Sequence, residues 1–271
     1  MVPTIRLNND VELPALGFGV YKLPDGEVEA AMRVAMEAGY RSFDTATLYG
    51  NERGVGAAVR SSGLPREELF VTTKLWNTEH GYDAALRAFD GSLELLGLDY
   101  VDLYLIHWPV PSQDRYVETW RALQKILADG RARAIGVSNF QIPHLRRLVD
   151  ETDVVPAVNQ IELHPGLQQA ALRAFHEERG IVTEAWSPLA RGRKLDSEVV
   201  QTVARKHGKT PAQVVLRWHI EMGHMVIPKS ATPSRIRENF DIFDFELDAQ
   251  DIAGFATLES GDRLGPHPDD A

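Results

Sequence analysis

Short apolar runs alternate with amphipathic stretches along nearly the whole chain. The runs at residues 16–19, 42–44, 69–74, 101–107, 134–138, 157–162, 181–186 and 225–228 are mostly rich in β-branched or aromatic residues and end at polar or turn residues, which predicts eight strands. Between them, apolar positions recur at helical spacing. Val28, Ala31, Met32 and Ala35 lead to Gly39; Leu86, Phe89, Leu93 and Leu96 lead to Gly97; Trp120, Leu123, Ile126 and Leu127 lead to Gly130. A glycine just past the last apolar position is where a helix C-cap belongs. Residues 5–13 read as a β-hairpin turning at Asn8, Asn9 and Asp10, and residues 248–258 as a helix following the last strand. The pattern predicts an α/β fold, a (β/α)8 TIM barrel with an N-terminal β-hairpin and extra C-terminal helices. The strand count alone also describes an open doubly wound sheet.

The chain has 271 residues, and a closed barrel of this kind takes about 250. No Ser/Gly-rich linker or charge block offers a boundary, so residues 1–271 are expected to form a single domain. The open-sheet alternative lacks its dinucleotide fingerprint. Gly17-Phe18-Gly19 continues as Val20-Tyr21-Lys22 without the third glycine, and Gly54 and Gly56 fall inside a helical stretch.

A net charge of −10 argues against a nucleic-acid binder, which needs a basic surface. Cysteine is absent, which excludes disulfides, thiol nucleophiles and Cys-based metal sites. The start shows no basic-then-apolar leader, and no apolar run approaches the roughly 20 residues of a membrane span. A cytoplasmic protein without membrane or nucleic-acid partners is expected, and the short loops and acidic surface fit a monomer.

In a barrel, functional side chains gather at the C-terminal ends of the strands. Those ends supply Asp44, Lys74 and His107, with Tyr49 five residues beyond Asp44. Each alone has an ordinary explanation as a cap, a solvated lysine, a core histidine or a packed tyrosine. Together they make chemical sense. A free tyrosine titrates near 10, too high for an efficient acid at neutral pH. A lysine ammonium ~4 Å away contributes about 4 kcal/mol, or roughly three pKa units, at an effective dielectric of about 20. Burial of the phenol works against that pull, so a smaller net lowering is expected. Asp44 would hold Lys74 charged, and His107 would orient a carbonyl oxygen and stabilise a developing alkoxide. The set can protonate a carbonyl but supplies no hydride, so it calls for a redox cofactor.

The stretch Gly39-Tyr40-Arg41-Ser42-Phe43-Asp44-Thr45-Ala46-Thr47-Leu48-Tyr49-Gly50-Asn51-Glu52 resembles the signature of the aldo-keto reductase family. So do Gly136-Val137-Ser138-Asn139-Phe140 with Leu145 after it, and Ile227-Pro228-Lys229-Ser230. Within the family, the segment from Val155-Pro156-Ala157 to Leu163-His164-Pro165 and the tail near His267-Pro268-Asp269 are most similar to bacterial 2,5-diketo-D-gluconic acid reductases. The resemblance implies NADPH as cofactor and a small-molecule carbonyl substrate. Its catalytic tetrad falls on Asp44, Tyr49, Lys74 and His107, with Asp44 also beside the cofactor. Ser138, Asn139 and Gln160 match residues that hold the nicotinamide carboxamide, and Trp186 the ring on which it stacks. Ser187, Pro188 and Leu189 match a segment beside the pyrophosphate, while Val20 and Tyr21 match positions lining the same cleft. Lys229, Ser230, Ala231, Thr232, Arg235, Glu238 and Asn239 match the adenosine-phosphate segment. Lys229 and Arg235 also suit a ribose 2′-phosphate on charge grounds.

The loops at 109–116 and 190–196 are short, which predicts an open substrate pocket walled by Tyr21, Trp76 and Trp108 around His107. Arg191, Arg193 and Lys194 would either attract acidic substrates or simply be exposed. His164 reads as structural. The remaining histidines show no HxH or HExxH spacing, so no metal is expected. Two rival readings remain: a cofactor-binding redox sensor or scaffold on the same barrel, and a metal-free lyase or isomerase forming a Schiff base through Lys74.

Overall fold

A computed structural model describes residues 2–270. Strands β1 (Thr4–Arg6) and β2 (Glu12–Pro14) pair antiparallel, and the turn between them places Asp10 at φ 68°. The eight-stranded sheet then begins with β3 (Phe18–Gly19), followed by α1 (Asp25–Ala38), β4 (Ser42–Asp44) and α2 (Glu52–Ser61). It continues through β5 (Phe70–Leu75), α3 (Tyr82–Leu96), β6 (Val101–Ile106), α4 (Tyr116–Ala128), β7 (Ala132–Ser138) and α5 (Ile142–Glu151). The last units are β8 (Val158–Glu162), α6 (Ala170–Arg179), β9 (Val182–Trp186), α7 (Glu198–His207), α8 (Pro211–Glu221), β10 (Met225–Val226), α9 (Pro233–Phe240) and α10 (Ala249–Ala256).

All neighbouring strands from β3 to β10 are parallel and lie in sequence order. Leu16 bridges Val226, Gly17 donates to the Val226 carbonyl (2.8 Å) and Gly19 to that of Pro228 (3.2 Å), which joins the first strand to the eighth. The ring therefore closes, and the open-sheet alternative is excluded. Predicted strand ends hold to within two residues. The eighth is shorter than expected because Pro228 has no N–H to donate and offers only its carbonyl.

Residues of α1 show why the helices sit where they do. Val28, Met32 and Ala35 fall on one face and are fully buried, and Gly39 ends the helix at φ 115°, a conformation other residues resist. Gly56 in α2 has a different reason. A Cβ there would lie 1.7 Å from the Leu96 carbonyl oxygen, so only glycine lets α2 and α3 pack this closely. Helix α7 is an addition between β9 and α8. Helix α10 packs on it, with Lys206 reaching Asp248 (2.6 Å) and Asp251 (2.8 Å).

The inward faces of the strands follow a period of two and change character along their length. Phe70, Thr72 and Lys74 on β5, Leu103 and Leu105 leading to His107, and Val158, Gln160 and Glu162 on β8 all run from apolar to polar toward the C-terminal end. At the other end, Leu7 and Leu13 of the hairpin cap an apolar cluster with Phe70, Leu103, Leu105, Val158 and Met225. The barrel is thus plugged with hydrocarbon at the bottom and filled with charge at the top. That gradient places the site.

Candidate active site

The C-terminal rim opens into a cleft of about 1230 Å³. Beneath its floor lies Lys74, whose Nζ donates to Asp44 Oδ1 (2.6 Å), to the Thr45 carbonyl (2.9 Å) and to the Tyr49 hydroxyl (3.4 Å). Lys74 is 0% exposed and Asp44 3%. Burial alone would strip the proton from such a lysine, but the facing Asp44, by charge and hydrogen bond, together with Tyr49 and Glu184, outweighs it and raises the ammonium above its ordinary range. Tyr49 is presented by a single 3-10 turn, Thr47–Tyr49, tied down by Thr47 Oγ1 donating to the Lys74 carbonyl (3.0 Å). Asn51 anchors the same loop by donating to the carbonyls of Val20 and Leu23, both at 3.0 Å.

The Tyr49 hydroxyl does not end up acidified. Burial pushes it up, Lys74 pulls it down, and the balance lies at about 12, so the smaller net lowering expected from sequence has the wrong sign. The phenol ring is half-buried. In a water-filled cleft, the upward push is therefore weaker than full enclosure would give. His107 stacks edge-on against Tyr49 (centroids 5.7 Å apart) and Trp76 (5.2 Å). Burial, helped by the Lys74 charge, holds its imidazole neutral, well below the usual histidine range.

Beside this group lies a polar wall. Ser138 Oγ donates to the Gln160 carbonyl (2.8 Å), Asn139 Nδ2 to the His107 carbonyl (3.0 Å), and Trp186 Nε1 to Asn139 Oδ1 (2.8 Å). Gln160 Nε2 donates to Asp44 Oδ2 and to Glu184 Oε1, each at 2.8 Å. Glu184, on β9, is 0% exposed, and burial reinforced by repulsion from Asp44 pushes its carboxyl up to about 8. Further along, the loop after β9 holds Ser187 (φ 51°), Ala190 (φ 50°) and Arg191 (φ 52°) in the sparsely populated left-handed region. Lys229 and Arg235, both exposed, line the same cleft with Ser230, Glu238 and Asn239.

The structure thus gathers Asp44, Tyr49, His107, Tyr21, Trp76, Trp108, Ser138, Asn139, Gln160, Trp186, Ser187, Pro188 and Leu189 around one cleft. Four expected residues are not in its lining. Lys74 lies fully buried just beneath it, behind Asp44 and Tyr49. Val20 is packed at 0% exposure into the main apolar core, so its side chain does not reach the cleft. Ala231 and Thr232 lie exposed on the turn into α9, beside the cleft. Several lining residues were not anticipated: Lys22, Leu48, Asn77, Gly265, Pro266, and Thr210, Pro211 and Ala212 at the start of α8. The last three carried a readable signal, since Thr210 and Gln213 form a capping box. His164 is structural, with Nε2 3.1 Å from Glu162 Oε1. No three His, Asp or Glu side chains among the described residues form a metal-ligand set.

Comparison with known proteins agrees with this geometry. The sequence profile described as the aldo/keto reductase family matches residues 15–259. The chain is similar to the methylglyoxal reductase DkgA of Escherichia coli, 52% identical over 267 residues covering 98% of this chain and 96% of that protein. It is likewise similar to the glyoxal reductase of Bacillus subtilis, 51% identical over 268 residues with 98% and 96% covered. Among solved structures, a mutant of Gox0644 in complex with NADPH superposes with a TM-score of 0.96 at 48% identity, covering 100% of this chain and 99% of that one. The chain belongs to the aldo/keto reductase family and is an NADP-dependent oxidoreductase.

Proposed function

We propose that the cleft reduces small aldehydes and ketones to alcohols with NADPH, and that Tyr49 delivers the proton. The observation that carries this reading is the Lys74 ammonium enclosed beneath the cleft floor and shared between Asp44 and the Tyr49 hydroxyl.

The residues present fit the cofactor. Gln160 Oε1 meets no donor among the described residues and lies on a cleft-lining side chain, free for a carboxamide. Asn139 Oδ1 keeps a second lone pair after accepting from Trp186. The half-buried Trp186 ring offers a stacking face, and Lys229 and Arg235 offer two cations where a 2′-phosphate would lie. When bound, NADPH supplies the hydride.

The chain's own part is to hold and polarise the carbonyl and then protonate it. His107 is neutral, and its enclosed Nδ1 has no partner among the described residues, so the ring serves as a donor through Nε2–H. Tyr49 stays protonated at any working pH. An alkoxide is about as basic as hydroxide and more basic than a phenolate, so transfer from the Tyr49 hydroxyl to it is downhill. Lys74 then faces the phenolate and stabilises it by charge and by hydrogen bond.

The proposed substrates are small α-dicarbonyls and keto-sugar acids. This follows from relatives named methylglyoxal and glyoxal reductase at 52% and 51% identity and from the open, aromatic-walled pocket of Tyr21, Trp76 and Trp108. Initial rates of NADPH oxidation with glyoxal, methylglyoxal, 2,5-diketo-D-gluconate and an aromatic aldehyde test it. The two dicarbonyls or the keto acid are expected to lead, and preference for the aromatic aldehyde would overturn the assignment. A cytoplasmic monomer is proposed as the working form. Two of the three exposed large hydrophobics, Tyr21 and Leu48, line the cleft rather than an oligomer face, and light scattering decides the matter.

A further inference from the structure

Two carboxyl groups and one ammonium share the dry interior beneath the cleft. Asp44 from β4 and Lys74 from β5 form the ion pair, and Glu184 from β9 is the extra acid. Gln160 and Glu184 are register partners on adjacent strands, so their side chains enter the barrel at one level. Gln160 Nε2 has two hydrogens and meets two carboxyl oxygens, Asp44 Oδ2 and Glu184 Oε1, each at 2.8 Å. Only the NH2 end of an amide can satisfy both. That geometry leaves the Gln160 carbonyl Oε1 for the cleft.

We infer that Glu184 is a positioning residue: by accepting one Gln160 amide hydrogen while Asp44 accepts the other, it locks the orientation in which Gln160 Oε1 receives the nicotinamide carboxamide. This rests on the proposed NADPH reading and extends it to a residue outside the tetrad. One anchor would let the Gln160 amide swing about Asp44, whereas two fix its plane. Glu184 does this as a neutral acid. Its ionisable neighbours are Asp44 and Lys74 with Tyr49 beyond them, and its β10 neighbour in register is Met225, which brings no charge. A second carboxylate would leave the buried set with one uncompensated negative charge, so the proton stays on Glu184 at neutral pH. Its Oε2 makes no hydrogen bond among the described residues. When Glu184 does ionise, its charge adds to that of Asp44 and holds the proton on Tyr49 more tightly, which slows proton delivery at alkaline pH.

Two variants test this beside wild type, with NADPH dissociation constants from fluorescence, kcat from pH 6 to 10, and thermal unfolding. Glu184→Leu removes the acceptor and is expected to weaken NADPH binding about tenfold. Glu184→Gln keeps an acceptor oxygen without a titrating group. It should recover most of that affinity and move the alkaline fall in kcat to higher pH. A folded Glu184→Leu protein that binds NADPH as wild type does overturns the inference. So does a Glu184→Gln protein whose alkaline limb matches wild type, and this second readout stands even if Glu184→Leu does not fold. Wild type that binds no NADPH would instead strike the proposed function itself.

Discussion

Lys74 Nζ lies 2.6 Å from Asp44 Oδ1, and both groups are sealed from solvent in the barrel. A pair in that setting is not a stabilising ornament. Desolvation offsets most of the Coulomb gain, and removing one partner strands the other. Asp44→Asn should therefore destabilise the protein by about 3–5 kcal/mol and lower kcat on the order of 100-fold, because Lys74 no longer keeps its charge beside Tyr49. Urea unfolding and steady-state rates measure the two effects separately. Loss of stability with unchanged kcat would show that the pair serves only the fold.

Arg235 is an exposed residue of the cleft lining and answers the phosphate question. Each charge-assisted contact is worth about 1.5–3 kcal/mol. Arg235→Ala should weaken NADPH binding about tenfold or more and leave NADH within about twofold. Fluorescence titration with both cofactors checks this, and equal losses would remove the residue from the 2′-phosphate.

The C-terminal tail is fastened from inside the barrel. The Glu162 carboxylate accepts from Leu264 N (2.5 Å), Gly265 N (3.1 Å) and His164 Nε2. Burial would raise this acid, but those three hydrogen bonds outweigh it and hold the carboxyl below its usual range. Glu162→Ala should free the tail at Gly265 and Pro266, raise the substrate KM several-fold and speed proteolysis beyond residue 259. Unchanged cleavage and KM would mean that the tail is held elsewhere.

Three buried histidines make the fold acid-sensitive. Burial, with Arg173 nearby, lowers His176 and His219 to about 3 and His224 well below its ordinary value. They stay neutral when folded but gain protons in the unfolded chain below about 6.5. The unfolded state is then the proton-richer one, so stability falls as pH drops from about 6.5 toward the folded values, by up to ~1.4 kcal/mol per histidine per pH unit. His176 bonds Asn159 and Thr183, both at 2.9 Å. Melting curves from pH 7.5 to 5 for wild type and His176→Gln check this, and the variant should show the shallower slope.

Much of this was legible because a barrel turns a one-dimensional pattern into a ring. Strand ends that carry Asp44, Lys74 and His107 must meet if the strands lie side by side in order, as they do. Gly39 and Gly97 marked helix ends by local backbone chemistry alone. What stayed hidden depends on contacts far apart in sequence. Nothing near Glu162 announces Leu264 and Gly265, about a hundred positions away. Glu184 sits in an ordinary strand, and only the register with Gln160 reveals its role. The sign of the Tyr49 shift also needed the structure, because it is a contest between burial and a nearby charge. The distance to Lys74 is 3.4 Å, but the extent of desolvation cannot be read from neighbours in sequence.

Everything proposed for the cleft turns on Tyr49 as the proton donor. The most direct measurement is NADPH oxidation by wild type and Tyr49→Phe with methylglyoxal, alongside cofactor binding by fluorescence. We expect kcat to fall by about 100-fold or more in the variant while NADPH binding changes little. Turnover by Tyr49→Phe at a wild-type rate would contradict it.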